Sequence, residues 1–270
     1  MSSQGSGGRS VAVFVALVVA MSVVFYLAGP LLGALAGTGD GTLPASALMF
    51  VCPGLAAAFL VYRRVGARGL RQWLGSTLAL RAGGGAAWYA VAVLLMPLIV
   101  VTAHLLSPQG GPAAPDSVQW SLLVPLAVVY LVSATGEELG WTGYATASLQ
   151  RRYGVWGAGV LLGVVWAVWH IIPYWQAGHG PSWILWQCLF TVGFRILLVG
   201  SYDRAGASVP VVIVCHASYN VAWSLLTGSG AHYDPAATAL LTLVLAGLLV
   251  VISKAVRPFR SLRNRFASGD

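Results

Sequence analysis

From Val11 to Ala36 no residue carries a charge, and low-charge apolar runs of this kind recur to the end of the chain. Eight can be marked: 11–36, 43–62, 86–106, 120–139, 155–172, 183–202, 208–226 and 236–256. Each is near the ~20 residues that a helix needs to cross ~30 Å of hydrocarbon. Inside lipid a backbone must satisfy its own polar groups, so only helices and closed barrels are open to such a chain. A barrel would show short alternating segments, and these are absent. The chain is therefore expected to be all-α: a polytopic membrane bundle of about eight transmembrane helices, in one domain over residues 1–270. Charged residues make up 8% of it, against about a quarter in a soluble domain.

The basic residues fix an expected orientation. Arg63, Arg64, Arg68, Arg71 and Arg81 lie between runs two and three, Arg151 and Arg152 between four and five, and Arg204 between six and seven. Arg9 begins the chain, and Lys254, Arg257, Arg260, Arg263 and Arg265 end it. The alternate loops (37–42, 107–119, 173–182, 227–235) hold no Lys or Arg. With eight crossings every basic loop falls on one side, which puts both termini in the cytoplasm. The net charge of +8 is thus read as topogenic, with some attraction to anionic lipid. The lipid bilayer is the expected partner, and nucleic acid is not.

The first run is too long for the apolar part of a signal peptide and is read as a retained helix. Cys52, Cys188 and Cys215 all fall inside runs and are expected to pack as free thiols. The segment RRVGARGLRQWLGSTLALR should include a short interfacial helix, with Leu70, Trp73, Leu74 and Leu78 toward lipid. Arg outnumbers Lys fourteen to one, and Ala, Gly and Val are abundant. That bias suggests a bacterial source, hence a multi-pass protein of the inner membrane.

Ionisable groups within a crossing are costly and mark candidate functional sites. Here they are Glu137, Glu138, His170, Arg195 and His216, with Asn220 as a polar companion. Glu137 and Glu138 are the chain's only glutamates. His104, His179 and His232 lie at run ends or in loops and are read as solvated.

Helical rise places these groups at matching depth. Glu137 lies about 21 Å before the turn at Arg151, His170 about 22 Å after Val155, and His216 and Asn220 about 12 and 18 Å up run seven. His216 and Asn220 share a helix face. Gly136, Gly140, Gly143 and Ala147 form one small-residue stripe, and Gly159, Gly163 and His170 share another face. Such stripes let helices approach closely, and they are read as supporting contact between the polar runs. Glu137 borders its stripe and Glu138 points away, so Glu137 is expected to partner His170 and Glu138 to act from behind it. Pro173 deprives the Trp169 carbonyl of its helical donor. A local break there would give a substrate backbone room to approach His170.

A carboxylate in a water-poor site can act as a base toward water. Imidazoles can share the proton, donate to an oxyanion or bind a metal, and an Asn amide suits an oxyanion. Hydrolysis is the favoured reading. Polar groups that only glue helices together, and a proton-coupled carrier, are the other classes open to this arrangement.

The three clusters EELGWT, WAVWHIIP and HASYN also resemble the motifs of the CPBP intramembrane endopeptidases. That family, also called Abi or CAAX-protease-like, is related to the eukaryotic prenyl-protein endopeptidase Rce. The resemblance covers 130–226, within a motif-bearing core at 120–226. It implies a membrane endopeptidase that cuts a peptide or a membrane-anchored protein near its C-terminus. By motif, Glu137 would activate water with His170, and His216 and Asn220 would hold the oxyanion. A divalent metal such as zinc, held by His170, His216 and Glu137, is chemically sensible as an alternative. A non-catalytic member serving self-immunity or membrane interaction is a further possibility. Two positions depart from the pattern. Trp166 stands where the family has Phe, a replacement read as conservative in role. Thr142 stands where EExxxR has Arg, which leaves Glu138 protonated or paired elsewhere. Arg195 is expected to snorkel to the interface; the alternative is that it replaces the missing Arg.

Overall fold

A computed structural model describes residues 3–36, 45–80, 85–107, 118–226 and 233–267. His232 and Arg81, and most of loops 37–42, 107–119 and 227–235, lie outside the described residues. Eight α-helices follow in order: α1 (Ser3–Ala36), α2 (Val51–Thr77), α3 (Gly85–Leu106), α4 (Leu123–Glu138), α5 (Ala147–Gln176), α6 (Pro181–Arg204), α7 (Val209–Leu226) and α8 (Pro235–Ala267). Short 3-10 turns, Ala45–Phe50 and Trp120–Leu122, lead into α2 and α4. Among the described residues no strand occurs.

Among the described residues seven helical segments are long and apolar enough to cross a membrane. One of them, Trp120–Gln176, runs 57 residues, about 85 Å at helical rise, and so holds two crossings. It breaks at Gly154, whose φ of 71° and ψ of 176° are non-helical and are reached most readily by a residue without a Cβ. This is the turn beside Arg151 and Arg152 that the charge pattern marks. Gly66, with φ 71°, breaks α2 in the same way. The helical stretch beyond it carries exposed Arg68 and Arg71. Its orientation differs in part from the interfacial expectation. Leu78 is exposed, but Trp73 packs on the core, its ring 3.7 Å from where a Cβ on Gly143 would stand.

Helix starts follow local chemistry. Pro181 opens α6 after an extended Gly180, the position where a missing N–H costs nothing. Asp234 caps α8: its Oδ1 accepts from the backbone N–H groups of Ala236 and Ala237 at 2.9 and 3.0 Å. Its Oδ2 accepts from the Ser107 hydroxyl at 2.8 Å, tying α8 to the end of α3.

Helices α6 and α7 are the most enclosed, with Phe190, Phe194, Leu198, Val211 and Val212 all buried. Helices α1, α3 and α8 turn exposed residues such as Val24, Leu98 and Val244 outward, as a lipid-facing surface requires. The cysteines are free thiols, Cys52 and Cys215 buried.

The small-residue stripes meet other neighbours than the sequence suggests. A Cβ on Gly136 would stand 2.8 Å from the Phe50 carbonyl oxygen, and one on Gly140 would stand 2.5 Å from that of Pro53. The first stripe therefore seats against the entry to α2 and, at Gly143, against Thr77 near its end. A Cβ on Gly163 would lie 2.9 Å from the Val192 Cα, and one on Gly159 would lie 3.1 Å from the Ile196 Cα, so the second stripe seats against α6. The reason is steric: backbones approach where side chains are absent, whereas the polar groups need space between helices for their own side chains.

Candidate active site

Directly after the acidic pair the chain widens into a π-helix, Leu139–Thr146. The Thr146 hydroxyl donates to the Trp141 carbonyl five residues back, at 2.9 Å. π-Helical turns are rare and occur often at functional sites. Here the widened coil follows two consecutive carboxylates that are both withdrawn from the surface: Glu138 is 0% exposed and Glu137 7%.

The two carboxylates differ in what surrounds them. Glu138 accepts four hydrogen bonds. The Arg195 guanidinium on α6 donates from one nitrogen to Oε2 at 2.7 Å and from the other to Oε1 at 3.0 Å. The Thr142 hydroxyl donates to Oε2 at 2.5 Å, and His216 Nδ1 on α7 lies 3.0 Å from Oε1. A carboxylate offers about four acceptor positions, so Glu138 is saturated. Glu137 accepts one donor, the Trp166 indole N–H on α5, 2.7 Å from Oε2. Its Oε1 has no hydrogen-bond donor among the described residues.

Arg195 does not snorkel. It is 0% exposed and forms a forked pair with Glu138. The physical reason is partner geometry: a fork-to-fork pair places both charges where neither needs water, and Thr142 is short enough to leave room for it. The Arg195 guanidinium also lies 3.9 Å over the Trp166 ring, a close cation–π contact.

Trp166 touches Glu137, His170, His216 and Arg195. Its indole N–H holds Glu137, its carbonyl accepts from His170 Nδ1 at 2.9 Å, and its ring meets those of His170 and His216 edge-on at 5.4 and 5.2 Å. A Phe could pack here but could not donate to Glu137, so the replacement is not conservative in role. Glu137 and His170 are linked through Trp166, one by its indole and the other by its backbone. Asn220 is half-buried one helical turn beyond His216.

The tautomers follow from the partners. A carbonyl and an ionised carboxylate only accept, so His170 and His216 each carry a proton on Nδ1. Their Nε2 atoms are left as lone pairs when the rings are neutral. No three His, Cys, Asp or Glu side chains converge with metal-ligand spacing among the described residues. As placed, His170, His216 and Glu137 do not fit a three-ligand metal site.

The carbonyl freed by Pro173 is not open to a substrate. The Tyr26 hydroxyl on α1 donates to the Trp169 carbonyl at 2.7 Å. In lipid an unpaired carbonyl is too costly to leave, and α1 supplies the donor. Sequence reasoning missed Tyr26, and with it Ser22, which accepts from the Trp169 indole N–H at 2.7 Å. It also missed a closed polar ring of Gln187, Tyr219 and Tyr233.

Two adjacent glutamates, one saturated and one not, thus stand beside two imidazoles within a bundle of apolar helices. Residues 118–222 match the family model "type II CAAX prenyl endopeptidase Rce1-like". Over 86 residues the chain is 41% identical to "CAAX prenyl protease 2" of Methanococcus maripaludis, a stretch that covers 30% of this chain and 32% of that protein. The matched stretch thus spans about a third of the archaeal relative. Through this core the chain is similar to the Rce1-like endopeptidases.

Proposed function

We propose that this protein is a CAAX-type intramembrane endopeptidase in which Glu137 activates the attacking water. One observation carries the reading: of two adjacent glutamates in an apolar helix, Glu138 has all acceptor positions filled while Glu137 keeps an oxygen without a donor among the described residues. A carboxylate can accept a proton from water only through an oxygen that is not already occupied. In this reading Glu137 Oε1 takes that proton and His170 Nε2 shares it. The proton then passes to the leaving amine. His216, as imidazolium, and the Asn220 amide donate to the oxyanion of the tetrahedral intermediate. Glu138 Oε1 accepts from His216 Nδ1 and so fixes the orientation of that ring, as the buried carboxylate of a triad does.

Arg195 and Thr142 together take over the role that the EExxxR motif assigns to its Arg. The family match and the archaeal relative's name support a peptide bond near the C-terminus of a membrane-anchored protein as the target. The matched core lies within one membrane domain, with the Arg-bearing turns and both termini on the cytoplasmic side of a bacterial inner membrane.

The test is cleavage of membrane-anchored peptides by the protein in nanodiscs. Glu137→Gln is expected to abolish turnover while the protein stays folded by thermal melt. Full activity in Glu137→Gln would overturn the proposal.

A further inference from the structure

We infer that α1, which lies outside the family-matched stretch 118–222, is a positioning element for His170, acting through Tyr26, Ser22 and Trp169. The inference rests on the reading of His170 as a working group of the site.

Pro173 has no N–H, so the carbonyl four residues earlier, on Trp169, has no helical donor. Trp169 immediately precedes His170. The Tyr26 hydroxyl fills the gap at 2.7 Å. A second bond lies one residue-face away: the Trp169 indole N–H donates to Ser22 Oγ at 2.7 Å, and Ser22 Oγ donates to the Val18 carbonyl at 2.8 Å. A third runs in the reverse sense, from Gln176 Nε2 to the Tyr26 carbonyl at 2.7 Å. Helix α1 thus grips α5 at Trp169 by both backbone and side chain, and again two turns on at Gln176.

The grip bears on His170 directly. The Trp169 and His170 rings meet edge-on at 4.8 Å. On the other side the His170 ring stacks on Tyr174 at 5.6 Å. Trp169 is in turn backed by Trp141 at 5.6 Å, and Trp141 by Phe14 of α1 at 5.4 Å. An α-helix interrupted by proline is free to kink where its hydrogen bond is missing. Tyr26 closes that freedom at the residue next to His170. A displacement of about 1 Å at a reacting group can cost about a hundredfold in rate, so this bond acts on chemistry rather than on affinity.

The experiment uses the full chain in nanodiscs. Tyr26→Phe removes only the hydroxyl. It is expected to lower kcat about ten- to a hundredfold with KM within about twofold. Pro173→Ala restores an N–H to the helix and gives the Trp169 carbonyl a donor of its own. The double variant Tyr26→Phe/Pro173→Ala is therefore expected to recover to within about threefold of Pro173→Ala alone. A role for Tyr26 in general stability would show no such rescue. Ser22→Ala should act in the same direction with a smaller loss.

A second readout does not depend on turnover. With labelled imidazoles, the His170 resonance, assigned by its loss in His170→Gln, should shift in Tyr26→Phe and return in the double variant, while His104 and His179 stay fixed. Unchanged kcat and an unmoved His170 resonance in Tyr26→Phe would overturn the inference, and so would losses that Pro173→Ala does not repair. If the parent protein cleaves no peptide, the functional reading fails. The resonance then decides the role of α1 alone.

Discussion

The floor of the site and its open side are built from adjacent residues and obey different rules. On the floor, Arg195, Thr142 and His216 fill the acceptor positions of Glu138, and the forked pair between Arg195 and Glu138 is fully buried. On the open side, Glu137 keeps one oxygen without a donor among the described residues. The floor is arranged as a membrane interior demands, with each charge paired. The open side departs from that rule, and in a folded protein such departures mark function. Two side chains one position apart meet different neighbours because consecutive residues of a helix point about 100° apart: Glu138 reaches α6 and α7, and Glu137 reaches α5.

Four experiments sharpen or break this contrast. The largest effect is expected at Glu137. Glu137→Gln should cost at least about a thousandfold in kcat/KM with little change in melting temperature, measured by peptide cleavage and thermal denaturation. Arg195→Gln comes next and should act on stability first, by about 3–5 kcal/mol, because it strands a buried carboxylate. A folded, fully active Arg195→Gln would dissolve the distinction between floor and open side. Trp166→Phe should lower kcat about tenfold through the lost donor to Glu137, with a stability cost near 1 kcal/mol. The smallest effect is expected from exhaustive chelation, which should leave cleavage unchanged, since the donor set does not converge on one point. Inactivation by chelator and recovery with zinc would favour a rearranged three-ligand site.

Much of this was legible in the sequence because lipid leaves few choices. A run of uncharged residues must be a helix, and the placement of arginines marks its turns. The break between α4 and α5 falls at Gly154, beside Arg151 and Arg152, where charge and glycine coincide. The depth argument anticipated Glu137, His170 and His216 on three helices that meet through Trp166. Other features were not legible. The partner of Glu138 depends on a contact across 57 positions, and nothing local to Arg195 separates a buried pair from a snorkelling side chain. The π-helix leaves no composition signal, since it differs from an α-helix only in which carbonyl each N–H meets. Tyr26 and Ser22 look like ordinary members of an apolar run until α1 is laid against α5. The Trp166 indole did carry a signal: a buried Trp usually finds an acceptor for its N–H, and the chain's two glutamates were expected at nearly the same depth.

The widened coil at Leu139–Thr146 has a consequence for how this protein tolerates change. In a regular helix each residue turns the chain by about 100°, and here the acidic pair and the His170 helix are phased through a segment with extra residues per turn. Removing a single residue from it would let the backbone relax into ordinary helical bonding without exposing a polar group. The carboxylates would then be rotated away from the rings that they face. Chain length in this segment therefore acts as an angular setting, and a deletion there should yield a well-folded protein whose acidic pair faces the wrong way.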